Sequence, residues 1–206
     1  MSINYFDADE LARWFADEGD KTHRLNYDLG HDSVVLDLGG YYGEWTRAIS
    51  ERYNCVVHVF EPVAEHYQVL ASKLAGMHGI FPHRFALADR DGKSVIRHSM
   101  DSSSMHLLSG KTEEIDLVDI CTFMEGEGIG HVDLMKINIE GSEYDLMEHM
   151  IANRVHHRVR DIQVQFHKMF PDSYHRREQI RSALMQTHRL TYDYLFVWEN
   201  WRKIDS

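Results

Sequence analysis

The sequence predicts an α/β fold in which helices cover both faces of a mostly parallel, doubly wound sheet, and three patterns carry that prediction. Short apolar runs alternate along the chain with helical patterns of about ten or more residues. These runs are continuously apolar, which is typical of strands that are buried on both faces. Residues 190–198 alternate between apolar and polar positions and are rich in aromatics, which predicts a late antiparallel strand pair.

The first part of the chain predicts a helix at the N-terminus, followed by alternating strands and helices. Residues 7–18 form a capped amphipathic helix in this interpretation, because Asp7 precedes apolar residues at helical spacing. The other elements of this part are strands over residues 34–38 and 55–60 and helices over residues 44–53 and 63–76.

The second part of the chain is less regular but continues the same alternation. Strands are expected over residues 80–87, 93–98, 114–120, 132–139 and 161–166. Helices are expected over residues 141–151 and 174–187, with a glycine-rich connection over residues 125–130.

The composition limits the classes of function. With 206 residues and 43% hydrophobic content, the chain suits one domain over residues 1–206, with residues 1–30 as an N-terminal helical extension. The net charge of −11 argues against a nucleic-acid partner, because phosphate binding needs a basic surface. Neither a secretory signal nor a membrane span is expected, which predicts a cytoplasmic protein. Two cysteines are too few for a disulfide framework.

The loop after the first strand is the first candidate site, because ligands of such sheets lie beyond the carboxyl ends of the strands. Gly39, Gly40 and Gly43 allow a tight turn and a close approach to a ligand, and the following helix N-terminus favours an anionic group. A nucleotide-type cofactor is the expected occupant. The dinucleotide fingerprint G-x-G-x-x-G fails, because Tyr41 takes its second glycine position. The pattern Asp-x-Gly-x-x-x-Gly from Asp37 remains, and a tight turn without a ligand is the alternative.

Glu61 and Pro62 follow the second strand and form the second candidate site. In nucleotide-binding sheets an acidic residue roughly 20 residues further along accepts hydrogen bonds from the ribose hydroxyls. Glu61 is expected to do the same here. The alternative is a helix N-cap ahead of Pro62, for which Glu is a poor residue.

The most specific segment covers residues 132–145 (VDLMKINIEGSEYD). Lys136, Asn138 and Glu140 alternate along one side of an otherwise apolar strand, which is costly unless they face a polar site. Glu143 falls in the first turn of the next helix, where its charge suits the helix dipole. The chemistry is therefore expected near the carboxyl end of this strand.

This segment resembles the K-I-D-h-E-G-x-E motif (h, hydrophobic) of the FkbM family of S-adenosylmethionine-dependent methyltransferases. Three further features resemble that family: F-E-P at residues 60–62, A-h-x-D-x-D-G at residues 86–92, and a histidine, His167, at the end of the next core strand. The resemblance covers most of the chain. It departs at Asn138, where the family usually has Asp, so a catalytically inactive binding module with this fold is an alternative.

The resemblance implies a Rossmann-like class I methyltransferase fold and S-adenosylmethionine as cofactor. It implies methylation of an oxygen, often a sugar hydroxyl of a glycan, a polysaccharide or a glycosylated metabolite. Asp37 would lie near the cofactor's amino group, Ala86 and Leu87 near its adenine, and Asn138 near its sulfur. The expected cofactor-binding residues are Asp37, Gly39, Gly40, Tyr41, Gly43, Glu61, Pro62, Ala86, Leu87 and Asn138.

A general base is expected, because a sugar hydroxyl is a weak nucleophile near neutral pH. His167 is expected to take the proton, while Glu140 orients it or the acceptor. A purely structural His167 is the alternative. Asn138, Glu140 and His167 are also donors that a divalent metal uses, but such a mixed set is not diagnostic, and the metal stays open.

The expected acceptor is a small molecule or a glycan, and the sequence leaves its identity, the methylated hydroxyl and the oligomeric state open. A methyltransferase that acts on nitrogen or another non-sugar acceptor is a rival hypothesis. Enzymes that methylate amino groups of nucleic acids typically show an N/D-P-P-Y/F loop after the fourth strand, whereas residues 138–141 read N-I-E-G.

Overall fold

The computed structural model describes residues 8–98, 103–104 and 111–204, which form two sheets flanked by helices. The strands are, in chain order, β1 (Val34–Leu38), β2 (Val56–Phe60), β3 (Ile80–His83), β4 (Ala86–Ala88), β5 (Gly92–His98), β6 (Ser103–Ser104), β7 (Lys111–Asp119), β8 (Val132–Ile137), β9 (Val159–Val164), β10 (His188–Tyr194) and β11 (Trp198–Lys203). The α-helices are α1 (Ala8–Ala16), α2 (Gly19–Thr22), α3 (Glu44–Tyr53), α4 (Ala64–Leu74), α5 (Ile120–Gly126), α6 (Glu143–Ala152) and α7 (Ser173–Leu184).

The main sheet has seven strands in the order β10-β11-β9-β8-β1-β2-β3. Strands β3, β2, β1, β8 and β9 run parallel to one another, and β11 pairs antiparallel with both β9 and β10. The predicted mostly parallel sheet with a late antiparallel strand pair is therefore confirmed. This topology places the carboxyl ends of β1, β2 and β8 side by side at one edge.

Helices cover both faces of this sheet, because successive residues of a strand point to opposite sides. In β1, Val35 belongs to an apolar cluster with Ile49 of α3, while the next residue, Leu36, belongs to a cluster with Met147 of α6. All four side chains are buried. The continuous apolar run of β1 thus reflects burial on both faces, as the sequence predicted.

The second sheet, in the order β4-β7-β5-β6, was not predicted. The expected single strand over residues 80–87 is wrong, because the chain leaves the main sheet after β3. Phe85 packs there against Phe60, with ring centroids 5.6 Å apart. Residues Ala86–Ala88 then pair in parallel with β7 as strand β4. The second sheet packs its apolar face against Val63, just ahead of α4.

Helix α5 lies where a strand end and a glycine-rich connection were expected, so both expectations are corrected. Strand β7 starts earlier than predicted and ends at Asp119, which is the N-cap of the helix. The Asp119 side chain accepts a hydrogen bond of 2.9 Å from the backbone N–H of Thr122. This cap, a local effect of one side chain, ends the strand and starts the helix.

The N-terminal helix packs against the late strand pair. Trp14 of α1 is buried in a cluster with Tyr194, Val197 and Trp198. Asp7, the expected first residue of this helix, lies outside the described residues. In the part of the chain that the structure describes, no helix combines the length and the hydropathy needed to cross a bilayer.

Candidate active site

A cavity of about 410 Å³ lies at the carboxyl ends of β1, β2 and β8, which is where the topology predicts a ligand. The loops after these strands form one wall, and the second sheet forms the other. The lining of this first cavity includes Gly39, Tyr41, Glu61, Pro62, Ala86, Leu87, Asp89, Arg90, Ile115, Leu117, Asn138, Glu140, Ser142 and Asp145. Apolar side chains from the second sheet thus face polar groups from the main sheet.

A second cavity of about 430 Å³ lies beside the first. It shares Gly39, Tyr41 and Asn138 with the first cavity, and its own lining includes Arg24 and Lys136. The two cavities therefore meet at the residues that follow β1 and β8.

The glycine loop after β1 is shaped by close contacts of the backbone. Gly39 has a φ of +82°, and a Cβ atom there would lie 2.0 Å from the carbonyl oxygen of Asn138. The N–H groups of Gly39 and Gly40 both donate to the Phe60 carbonyl, at 3.0 and 2.9 Å. Gly43 has a φ of +81° at the start of α3 and lines neither cavity. Gly39 and Gly40 therefore connect the ends of β1, β2 and β8, a structural role that is independent of any contact with a ligand.

Glu61 is nearly buried in the wall of the first cavity, with 5% of its surface exposed. Its Oε2 accepts a hydrogen bond of 2.9 Å from the Tyr41 N–H, and its Oε1 accepts one of 3.0 Å from the Val63 N–H. These bonds fix the carboxylate, and they hold Tyr41 at a φ of +50°. A carboxylate has about four acceptor positions, so capacity for ribose hydroxyls remains.

Asp37 lies behind the loop and lines neither cavity. The side chain is fully buried, and Oδ1 accepts a hydrogen bond of 2.8 Å from Lys136 Nζ. The other carboxylate oxygen accepts a hydrogen bond from the Thr46 hydroxyl. Lys136 Nζ also donates to the Gly39 carbonyl at 2.7 Å. The arrangement supports the loop from below, and the position of Asp37 near the cofactor's amino group stays a prediction of the resemblance.

The structure brings Glu140 and His167 together, as expected, but only Glu140 reaches the cavity. Glu140 Oε2 lies 3.6 Å from His167 Nε2, and the side chain of Glu140 is 29% exposed against 3% for His167. Behind them, Glu143 Oε1 accepts hydrogen bonds from the backbone N–H of His167 at 2.6 Å and from its Nδ1 at 3.0 Å. Glu143 Oε2 accepts a further bond of 2.7 Å from the Gly141 N–H.

The pKa values of His167 and Glu140 are both raised, for different reasons. Burial alone would lower the pKa of His167, but the carboxylates of Glu143 and Glu140 outweigh it and raise that pKa. Burial also raises the pKa of Glu140 above its ordinary value, although the charge of His167 opposes it. Glu140 has a φ of +52°, an uncommon conformation that turns it toward the cavity. The cluster thus combines an imidazole and a carboxylate whose pKa values both lie above their ordinary values.

Sequence reasoning missed two residues of the site, Arg24 at the second cavity and Glu143 behind Glu140 and His167. Arg24 lines the second cavity, with its guanidinium carbon 4.2 Å from the ring centroid of Trp198. Glu143 was noted only for the helix dipole, whereas its partner is His167. No local sequence pattern marks either contact, because the partners are distant in the chain.

Two buried polar atoms at the cavities have no hydrogen-bond partner among the described residues. They are Nε of Arg24 and Oδ1 of Asn138. Unsatisfied buried polar atoms are rare in folded proteins, so each calls for a ligand or water. In the described part of the chain, no group of three His, Cys or carboxylate ligands lies around Asn138, Glu140 and His167, so a metal there is not supported.

Solved structures with a similar fold place this architecture in a known class. A fibrillarin/Nop5p complex superposes with a TM-score of 0.55 at 15% identity, over 92% of this chain and 80% of that chain. The fibrillarin pre-rRNA processing protein of Methanococcus jannaschii gives 0.52 at 12% identity, over 87% and 71%. TrmK of M. capricolum, solved with S-adenosylhomocysteine, gives 0.50 at 10% identity, over 85% and 64%. At these identities the likeness shows the fold alone, and it confirms the Rossmann-like class I methyltransferase fold.

Sequence comparison addresses the family. A search of curated proteins found no match. The family model described as the methyltransferase FkbM domain matches residues 37–194, from the end of β1 to the end of β10, and this range includes the glycine loop and the Glu140 segment. A match over most of the chain settles the assignment: this chain belongs to the FkbM family of methyltransferases.

Proposed function

We propose that this protein transfers the methyl group of S-adenosylmethionine to an oxygen, and that the acceptor is a sugar hydroxyl. The observation that carries the proposal is the position of Glu140. Its carboxylate has a raised pKa, lines the first cavity, and lies 3.6 Å from His167 Nε2. A base at this wall suits an acceptor that must lose a proton as it attacks.

The first cavity suits the adenosine part of the cofactor. Glu61 is fixed by two backbone N–H groups and keeps acceptor capacity for the ribose hydroxyls. Ala86 and Leu87 offer the adenine an apolar surface at the edge of the second sheet. The complex of the similarly folded TrmK with S-adenosylhomocysteine supports the choice of cofactor.

The second cavity suits the amino-acid part of the cofactor. Arg24 lines it with a guanidinium whose Nε has no hydrogen-bond acceptor in the described structure, so Arg24 would hold the cofactor carboxylate. Asn138 lies where the cavities meet, and its unpartnered Oδ1 would face the positive sulfonium. Both orphaned atoms would gain partners from one elongated ligand.

The proposed mechanism assigns one proton transfer to this chain. When bound, S-adenosylmethionine supplies a methyl group that is already activated by the positive sulfur. Glu140 would accept the proton of the acceptor hydroxyl as the methyl group leaves the cofactor's sulfur for that oxygen. In this proposal His167, whose Nδ1 contacts Glu143 and whose Nε2 lies 3.6 Å from Glu140, keeps the Glu140 carboxylate in place, while Glu140 takes the proton. His167 is thus a positioning residue, which reverses the two roles that the sequence suggested.

The rim of the first cavity supports a polyhydroxylated acceptor. Asp89, Arg90, Ser142 and Asp145 line it together with Glu140, and all of them can donate to or accept from hydroxyl groups. A net charge of −11 disfavours a polyanionic nucleic-acid acceptor. A neutral sugar fits both observations.

The test is methyl transfer to a panel of glycans and glycosides, measured as S-adenosylhomocysteine release, by the wild type and E140Q. We expect E140Q to lose about 10²- to 10⁴-fold in kcat while its affinity for S-adenosylmethionine, measured by calorimetry, stays within about twofold. E148Q is the matched control, since Glu148 of α6 pairs with Arg176 of α7 and lines neither cavity. Full turnover by E140Q would contradict the role of Glu140, and cofactor binding without turnover on any acceptor would favour the binding module.

A further inference from the structure

A cluster of three potential metal ligands lies outside both cavities. Asp119, Cys121 and His149 each contribute one ligand atom, and these atoms all lie within 4.8 Å of one another. Asp119 and Cys121 stand at the start of α5, and His149 stands on α6. The cofactor and acceptor chemistry described above uses none of them.

The distances in this cluster are close to those of a tetrahedral zinc site. Zn²⁺ binds thiolate sulfur at about 2.3 Å and imidazole nitrogen at about 2.0–2.1 Å, which places the two ligand atoms about 3.6 Å apart. Cys121 Sγ lies 3.6 Å from His149 Nε2. Asp119 Oδ2 lies 2.8 Å from the same nitrogen, about 0.6 Å nearer than in such a site. A small side-chain movement of Asp119 would complete the geometry.

The surroundings suit an ion that enters from solvent. The side chains of His149 and Asp119 are 24% and 14% exposed, so a hydrated cation can reach them. Asp119 Oδ1 is held by the Thr122 N–H, which leaves Oδ2 directed at His149. Asn153 Nδ2 lies 3.2 Å from His149 Nδ1 and donates a hydrogen bond of 3.0 Å to the His149 carbonyl, so the Asn153 amide lies beside the ring on the side away from Asp119.

We propose that Asp119, Cys121 and His149 bind a divalent cation of the zinc type, with a fourth coordination position open to water. Carboxylate, thiolate and imidazole are the ligands that Zn²⁺ uses in proteins. The ion would join two walls of the first cavity. Strand β7, which carries Leu117 of the cavity lining, ends at Asp119, and α6 begins beside Ser142 at the rim. The site would thus fix the second sheet relative to the segment that holds the base.

The test uses the untagged full chain, reduced with a phosphine so that no added thiol competes for metal. Titration with Co²⁺ is expected to give a thiolate-to-cobalt charge-transfer band in the near ultraviolet that saturates at one equivalent, and Zn²⁺ is expected to remove it. C121S abolishes the band, and H149Q weakens Co²⁺ binding by at least about tenfold. Zn²⁺ raises the Tm of the wild type but not that of C121S.

Two control variants make the test specific. C55A removes the other cysteine, which is buried near the start of β2, and should keep the band. H131Q removes an exposed histidine beside Asp133, a His–Asp pair for which the structure shows no thiol ligand, and should also keep it. The proposal is overturned if the wild type gives no thiolate band, or if the band survives in C121S or disappears in C55A.

Discussion

Lys136 and Asp37 form a buried ion pair across two neighbouring parallel strands, with Nζ and Oδ1 2.8 Å apart. The two residues lie opposite each other in the register of β1 and β8, at the centre of the main sheet. Burial lowers the pKa of Lys136, and the charge of Asp37 opposes that shift. Because Lys136 also donates to the Gly39 carbonyl, the pair connects the sheet to the glycine loop.

Removal of one member of this pair should strongly destabilise the protein. K136M leaves the Asp37 carboxylate buried with the Thr46 hydroxyl as its one side-chain partner among the described residues, which costs about 3–5 kcal/mol of unfolding free energy. The double variant D37N/K136M removes the uncompensated charge and should recover part of that loss. Urea unfolding of the wild type, D37N, K136M and the double variant measures the coupling energy between the two side chains. Equal losses in K136M and the double variant would show that the ion pair does not matter.

Arg24 should determine affinity for the amino-acid end of the cofactor but not for the nucleoside end. R24Q is expected to weaken S-adenosylhomocysteine binding about 10- to 100-fold, which matches a hydrogen bond to a charged group of about 1.5–3 kcal/mol. Binding of 5′-methylthioadenosine, which lacks the amino-acid end, should not change. Calorimetry with both ligands measures the difference, and R47Q, an exposed arginine that pairs with Glu51, is the control. An equal loss for both ligands would contradict the placement in the second cavity.

Glu143 should control the protonation of His167. E143Q removes the nearest carboxylate and should lower the pKa of the His167 ring, which a wild-type NMR titration would place above the ordinary value. When folding raises the pKa of a histidine, the protonated ring stabilises the folded state. This stabilisation is complete below the pKa of the unfolded state, about 6.5, and is lost as the pH rises through the pKa of the folded state. The stability difference between wild type and E143Q should therefore be larger at pH 6 than at pH 9. A difference that does not change with pH would mean that the ring is neutral throughout.

Gly39 should tolerate no side chain, because two separate effects oppose it. G39A would strain a φ of +82° and would place a Cβ atom 2.0 Å from the Asn138 carbonyl oxygen. G76A is the matched control, since Gly76 has a φ of +79° and open space around its Cβ position. The control should lose about 1–2 kcal/mol of unfolding free energy, and G39A about 1–3 kcal/mol more. Chemical unfolding of both variants separates the cost of backbone strain from the cost of the steric contact. Equal losses of unfolding free energy would show that the contact with Asn138 contributes nothing.

The sequence predicts the main sheet well because its signals are local. The apolar run of β1 ends at glycines, and the run of β2 ends at Glu61 and Pro62, so composition and turn residues mark both ends. Helix α3 begins and ends where the periodicity places it, at Glu44 and Tyr53. Local signals do not predict the second sheet, because β4 is only three residues long and its position depends on pairing with β7.

The same difference between local signals and long-range contacts applies to the candidate site. Glu61 and Glu140 follow predicted strands, Asn138 lies near the carboxyl end of one, and all three line the first cavity, as the topology requires. The roles of Asp37 and His167 depend on contacts with Lys136 and Glu143, which the chain brings together only by folding. A motif identifies residue types at strand ends, but it does not say which side chain reaches the cavity and which stays behind it.

The two cavities share a single boundary at Gly39, Tyr41 and Asn138. With the cofactor placed as proposed, the contacts to adenine, ribose and carboxylate are the same for the methyl donor and for its demethylated product. Only the methyl group and the positive charge that it gives the sulfur, beside Asn138 in this proposal, distinguish the two molecules. The spent product would therefore compete with fresh donor, and the rate of this enzyme would follow the ratio of the two rather than the supply of donor alone.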